Sequence, residues 1–317
     1  MGILFGLDGK RLQAQYYSHL SGYSSWDQRE HSESWLLFPE NIGPNLSMDE
    51  TSLSRGELYT IITNKEAKGK KGALVAMVKG TVSQNVISVL ERIPEHIRNQ
   101  VKEITIDLAP TMKLIAKRSF PRASIVSDRF HVQKLASDAV QELRIKYRWE
   151  AIDLENQARQ IAKDVGKPFK PHILENGDTP KQLLARGRYL LFKSPIKWTS
   201  TQIHRAEMLF ERFPILKLAY ELSQKLVAVF NRKTTKQIAY KKLALWYNAV
   251  ELAGFKSFNV IANTIQQNYN QILNYFNNRS TNASAESFNA KVKALRRQFR
   301  GVSNTSFFLY RLSMIYA

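Results

Sequence analysis

Residues 101–109 read Val-Lys-Glu-Ile-Thr-Ile-Asp-Leu-Ala, and Pro110 follows at once. Ile104, Ile106 and Leu108 alternate with Glu103, Thr105 and Asp107, the period of two expected of a strand with one buried face. β-Branched residues fill its centre, and a helical period opens at Met112. Asp107 is thereby placed at the carboxyl end of a strand, where open α/β sheets present their functional groups. An aspartate in that place can equally be a helix cap, so its meaning depends on its surroundings.

Upstream, three more strands are predicted over 46–53 (LSMDETSL), 57–63 (ELYTIIT) and 72–80 (GALVAMVKG). The last two are joined by a basic, glycine-bearing hairpin connection, KEAKGKKG at 65–72. A helix over 83–98, bent or ended by Pro94, leads into the Asp107 strand. A helix over 111–120 follows, then a fifth strand over 123–127 that runs into Asp128-Arg129-Phe130-His131 and a long helix. Three antiparallel strands followed by helix-strand-helix-strand-helix is the order of an α/β fold with one mixed, five-stranded sheet.

Residues 1–45 read as a lead-in with a short helix near 10–20, packed on the next unit through Trp26 and Trp35. From about 141 to 275 the strand signals vanish. Helical periods at 141–163, 179–193, 201–232, 236–252 and 257–276 form a helical insertion, with Trp198 and Trp246 expected in its core. The expected divisions are a lead-in (1–45), an α/β domain in two pieces (46–140 and 276–317) and the insertion (141–275).

The 317 residues include 47 Lys+Arg against 27 Asp+Glu, a formal charge of +20. Such a surplus favours a polyanionic partner, nucleic acid before a membrane surface. Positions 187–242 alone hold twelve Lys/Arg against three Glu. No stretch approaches the roughly 18 consecutive apolar residues of a membrane span, and the first residues lack the pattern of a secretory signal. With no Cys there is no disulfide or cysteine zinc site, and the expected location is cytoplasmic, at the nucleoid.

Near the end, 281–299 reads TNASAESFNAKVKALRRQF. Phe288, Val292, Leu295 and Phe299 share one helical face, while Glu286, Asn289, Lys293 and Arg297 fall on the other. From Tyr275 onward there are seven Lys/Arg and one acid, Glu286. A sheet in which the first and fourth strands are neighbours would set Asp49 beside Asp107, and a late helix on that sheet would deliver Glu286. Three crowded carboxylates repel and stay charged only with a cation between them. Hard oxygen donors suit Mg²⁺ or Mn²⁺, two of which about 4 Å apart serve phosphodiester displacement.

Plainer readings stand beside these. Asp49 can be a polar strand end and Glu286 an acid favoured by a helix dipole. Asp128 can cap the next helix, with His131 in its first turn, or both can lie near the metal or the scissile phosphate. Lys65, Lys68, Lys70 and Lys71 of the hairpin, with Arg129, Lys293, Arg296 and Arg297, are either solvated or contacts to DNA phosphates. Asn282 and Asn289 would cap and orient the glutamate or the DNA.

Four segments in order, SMDETSLSRGELYTIITNK (47–65), VKEITIDLAP (101–110), ASIVSDRFHVQKLASDAV (123–140) and STNASAESFNAKVKALRRQFRG (280–301), resemble the DDE transposases of bacterial insertion sequences, in particular the ISL-three group. The resemblance runs from about Leu46 to Tyr310 and is least distinct over the helical insertion. It implies an RNase H-like catalytic fold with an insertion ahead of the final acid. It also implies metal-dependent cutting and joining of element ends, with Asp49, Asp107 and Glu286 as the catalytic, metal-binding triad. DNA would be the partner, two Mg²⁺ (or Mn²⁺) ions the cofactors, and a homo-oligomer on DNA the working assembly. Full-length relatives usually begin with a cysteine zinc segment and a helix-turn-helix. This chain has no Cys and about 45 residues ahead of Asp49, which implies end recognition by a separate chain or a truncated or split product. The alternatives are a non-catalytic, truncated or domesticated DNA-binding relative and an RNase H-like nuclease without strand joining.

Overall fold

Runs of alternating or continuous apolar residues, each bounded by turn formers, fold as six strands in the computed structural model, which describes residues 6, 8–53, 56–299 and 304–317. The strands are β1 (Trp35–Leu37), β2 (Asn45–Ser52), β3 (Leu58–Asn64), β4 (Leu74–Lys79), β5 (Glu103–Ile106) and β6 (Ser124–Ser127). They form one sheet in the order β1-β4-β3-β2-β5-β6. β1 to β4, β4 to β3 and β3 to β2 pair antiparallel, whereas β2 to β5 and β5 to β6 pair parallel. The mixed sheet and its flanking helices are of the RNase H-like kind.

The helices, in chain order, are α1 (Gly9–Gln15), α2 (Ser83–Leu90), α3 (Glu95–Arg98), α4 (Pro110–Ser119), α5 (Arg129–Asp164), α6 (Pro180–Arg186), α7 (Ser200–Arg212), α8 (Pro214–Asn231), α9 (Lys236–Ala253), α10 (Lys256–Gln267), α11 (Tyr269–Asn278), α12 (Ala283–Gln298) and α13 (Thr305–Tyr316). Pro94 separates α2 from α3, and Pro214 separates α7 from α8. The chain divides into two compact units, one made of residues 1–128 and 278–317, the other of 129–277.

In the first unit the sheet is covered on both sides. One face packs Leu46, Met48, Ile104 and Ile106 on Val86, Leu90, Met112 and Ile115 of α2 and α4. The other packs Leu36, Tyr59, Ile61 and Met77 on Phe288 and Val292 of α12 and on Phe308, Leu309 and Leu312 of α13.

Two expectations are corrected. The sheet has six strands rather than five. β1 is three residues with no alternation to read, and it exists because β4 offers an edge and Gln28 satisfies both backbone groups of Leu37, at 2.9 Å each. The decisive strand is also shorter than its pattern, ending at Ile106, and all four of its residues are buried. Parallel pairing on both sides with helices over each face buries Glu103 and Thr105 as fully as Ile104. The lead-in packs as its aromatics suggest: Trp26 joins Tyr23, Phe307 and Tyr310, and Trp35 stacks on His31.

The second unit is helical throughout its described elements. Its first helix, α5, runs unbroken from Arg129 to Asp164 and packs on α6, α8 and α10. Trp246 is buried and donates to the Leu222 carbonyl at 2.9 Å. Trp198 is half-buried, stacked on Tyr220. Among the described residues no helix is long and apolar enough to cross a membrane.

Candidate active site

Strand register builds the site. Asn45, Leu46 and Ser47 pair with Glu103, Ile104 and Thr105, and Glu103 to Ile106 pair with Ser124 to Ser127. Continued to the carboxyl ends, these registers set Asp49, Asp107 and Asp128 side by side, on the face that carries Ser47, Thr105 and Val126. The Asp128 N–H donates to the Ile106 carbonyl at 2.8 Å, which fixes that end of the row.

Each aspartate is held. Asp49 Oδ1 accepts from the Glu50 N–H at 2.9 Å, and its Oδ2 accepts from Asn289 Nδ2 at 2.8 Å. Asp107 Oδ1 accepts from the Ala109 N–H at 2.8 Å at the start of α4. Asp128 is 2% exposed. Glu286, exposed in the first turn of α12, brings a carboxylate oxygen within 4.8 Å of one of Asp128.

Helix α12 is seated on β2 by its polar residues as well as its apolar face. Asn282 Nδ2 donates to the Met48 carbonyl at 3.3 Å, Ser284 and Ser47 share a hydrogen bond at 3.2 Å, and Asn289 Nδ2 also reaches the Glu50 carbonyl at 3.4 Å. Four consecutive strand residues are thus tied to one helix. Asn289 does not lie on an open polar face as its spacing suggests; it is buried against β2.

Sequence reading passed over Glu50 as a site residue. Burial, then the charges of Asp107 and Asp49, raise its pKa above the ordinary carboxylate value. Burial is the larger cause, and the two neighbouring aspartates add to it. The available signal was the Asp-Glu dipeptide, two adjacent acids within strand β2.

The basic residues divide. Lys68, Lys70, Lys71, Lys293 and Arg297 are exposed. Lys65 is not a solvated hairpin residue: its side chain is 16% exposed, forms an ion pair with buried Glu103 at 3.5 Å and donates to Thr105. Glu103 also accepts from Asn278 Nδ2 at 3.1 Å. Burial lowers the Lys65 pKa, and Glu103, followed by Asp128, opposes that shift. Arg296 is half-buried, its guanidinium 5.0 Å from the centre of the Phe308 ring. Arg129 and His131 belong to the helical unit, in the first turn of α5. There Arg129 donates to Asn231 at 2.8 Å, and His131 is half-buried.

The profile of a protein family described as transposase, of the DDE type named for ISL3, matches residues 46–312. Among curated proteins, the chain is 21% identical over 271 residues to the transposase for insertion sequence element IS1001 of Bordetella parapertussis. That match covers 84% of this chain and 59% of the relative, so the chain spans less than two thirds of the relative's length. No solved structure matches.

Proposed function

The chain belongs to the ISL3 family of DDE transposases, and from that membership we propose that it cuts and rejoins DNA at the ends of an insertion sequence through Asp49, Asp107 and Glu286. The observation that carries this reading is the parallel pairing of β2 with β5, whose register, carried two residues past Ser47 and Thr105, aligns Asp49 with Asp107. Helix α12, bonded to Asp49 through Asn289, adds Glu286 to the same unit.

The donor set fits a hard divalent cation. It consists of carboxylates from strand β2, the residue after β5 and the first turn of α12, all hard oxygen donors. Mg²⁺ or Mn²⁺ held by Asp49, Asp107 and Glu286 would supply Lewis-acid activation of the attacking oxygen and charge stabilisation at the leaving oxygen.

The chain itself does the positioning. The Glu50 N–H and Asn289 orient the Asp49 carboxylate, and the Ala109 N–H orients that of Asp107. The exposed cations of the β3–β4 turn and of α12 neutralise phosphates and hold the strand in line. Two attacks use one site: water on the phosphodiester at the element end, which frees a 3′-hydroxyl, then that hydroxyl on target DNA. Holding two ends together calls for a homo-oligomer on DNA, a dimer or larger.

The test incubates the full chain with Mn²⁺ and a pre-nicked DNA carrying the terminal sequence of its own element. Joined products are expected. Cleavage without joining would leave a nuclease, and retention of DNA with neither product a binding protein; either overturns the proposal.

A further inference from the structure

Asn289 stands apart from the other residues that seat α12. Asn282 bonds the strand backbone and Ser284 a neutral hydroxyl, whereas Asn289 bonds the side chain of an acid. Its Nδ2 donates to Asp49 Oδ2 at 2.8 Å and to the Glu50 carbonyl at 3.4 Å. The side chain is 6% exposed, and its carbonyl oxygen is buried with no hydrogen-bond partner among the described residues. Burying an amide with half of its bonding capacity unmet costs free energy that an apolar residue at this position would avoid. Phe288 and Val292, the fully buried neighbours on the same helix, show that apolar side chains pack this interface.

Asn289 also lies one helical turn beyond Glu286. Three residues advance a helix by about 4.5 Å and return close to the same azimuth. A bond from residue 289 to Asp49 therefore fixes both the height and the rotation at which residue 286 meets the sheet. The first and last acids of the triad are linked through one amide.

We propose that Asn289 is a positioning residue for the metal-binding acids, orienting Asp49 and setting where Glu286 stands relative to it. This rests on the metal-dependent reading of those acids. An orienting amide holds a carboxylate in the rotamer a cation needs, so its loss weakens cation binding before it slows chemistry.

The test uses the full chain and Mn²⁺ as the probe. Mn²⁺ affinity is measured directly by titration with paramagnetic detection, and cleavage of element-end DNA is measured against Mn²⁺ concentration. Asn289→Leu keeps the volume and removes the bonds; Ser284→Ala removes a neighbouring tie on the same helix that touches no acid. Asn289→Leu is expected to weaken Mn²⁺ about 10-fold and to raise the Mn²⁺ midpoint of cleavage by a similar factor. The rate at saturating Mn²⁺ falls less than the midpoint rises, and Ser284→Ala leaves the midpoint within about twofold. Should Asn289→Leu fail to fold by circular dichroism, Asn289→Ser replaces it with the same expectation. A midpoint unchanged in the folded Asn289 variant, or shifted equally by Ser284→Ala, overturns the proposal and makes Asn289 a purely structural tie. A wild-type chain that neither binds Mn²⁺ nor cuts DNA would overturn the metal reading instead, and Asn289 with it.

Discussion

Replacing Lys65 by Met tests whether this lysine is a buried counter-ion or a DNA contact. Its ammonium lies 3.5 Å from Glu103, and the two side chains are 16% and 6% exposed. Lys65→Met keeps the length of the side chain and removes the charge, leaving Glu103 with the Asn278 amide. Breaking a buried pair from one side costs roughly 3–5 kcal/mol. The glutamate has an escape, which is to take up a proton. From an ordinary glutamate pKa of about 4.3, protonation at pH 7 costs about 3.7 kcal/mol, at about 1.36 kcal/mol per pH unit.

The expected loss for Lys65→Met is therefore about 3–4 kcal/mol at pH 7. The sign follows from the proton. The folded variant takes up a proton that its unfolded chain releases, so it is least penalised at low pH and most at high pH. The loss should shrink by about 1.4 kcal/mol for each unit of acidification. Urea unfolding at pH 5, 6 and 7 reads this directly. Lys65→Met/Glu103→Gln should recover most of the loss, because no uncompensated charge remains. A loss below about 1 kcal/mol, a loss independent of pH, or no recovery in the double variant would refute the buried-pair argument. The salt dependence of DNA binding should not change in any of these variants.

Asp107→Asn should abolish Mn²⁺-dependent cleavage in a gel assay while DNA affinity stays within a few fold, and a collapse of affinity would make Asp107 structural. Lys68→Ala/Lys70→Ala/Lys71→Ala should weaken DNA binding and lower the slope of log affinity against log salt by up to about 3; an unchanged slope would remove the β3–β4 turn from the interface. Glu50→Gln bears on the crowded acids. The pKa of Glu50 is raised above 4.5 by burial, then by Asp107 and Asp49, so its contribution to stability is full below 4.5 and is lost as pH rises through the raised value. The metal-free variant should thus be more stable than wild type at neutral pH and gain nothing at pH 4; a gain of equal size at both, read by urea midpoints, would contradict the raised pKa.

Local periodicity encodes local backbone geometry, and that is what the sequence by itself determined. Strands β2 to β6, the breaks at Pro94 and Pro110, the helical insertion, and α12 with Phe288 and Val292 inward were all legible as patterns of burial at fixed spacing. Asp107 was legible as an acid at a strand end for the same reason, whereas Asp49, read as a strand end, lies inside β2 and stays paired with β3. The three-residue β1 was not, because too few residues repeat for a period to exist.

Strand order and the fate of individual polar side chains were decided only in the tertiary structure. Asp49 is beside Asp107 because β2 and β5 bury matching apolar rows, Leu46 and Met48 against Ile104 and Ile106, on α2 and α4. Lys65 turns inward because Glu103 and Thr105 are buried within its reach, and Arg296 settles over Phe308 because α13 is packed there. Asn289 is buried because α12 lies across β2. In each case the partner is remote in sequence: Lys65 and Glu103 are 38 positions apart, Asn289 and Asp49 240. A charge or an amide states what it can bond with, and only the packed chain determines which group comes within reach.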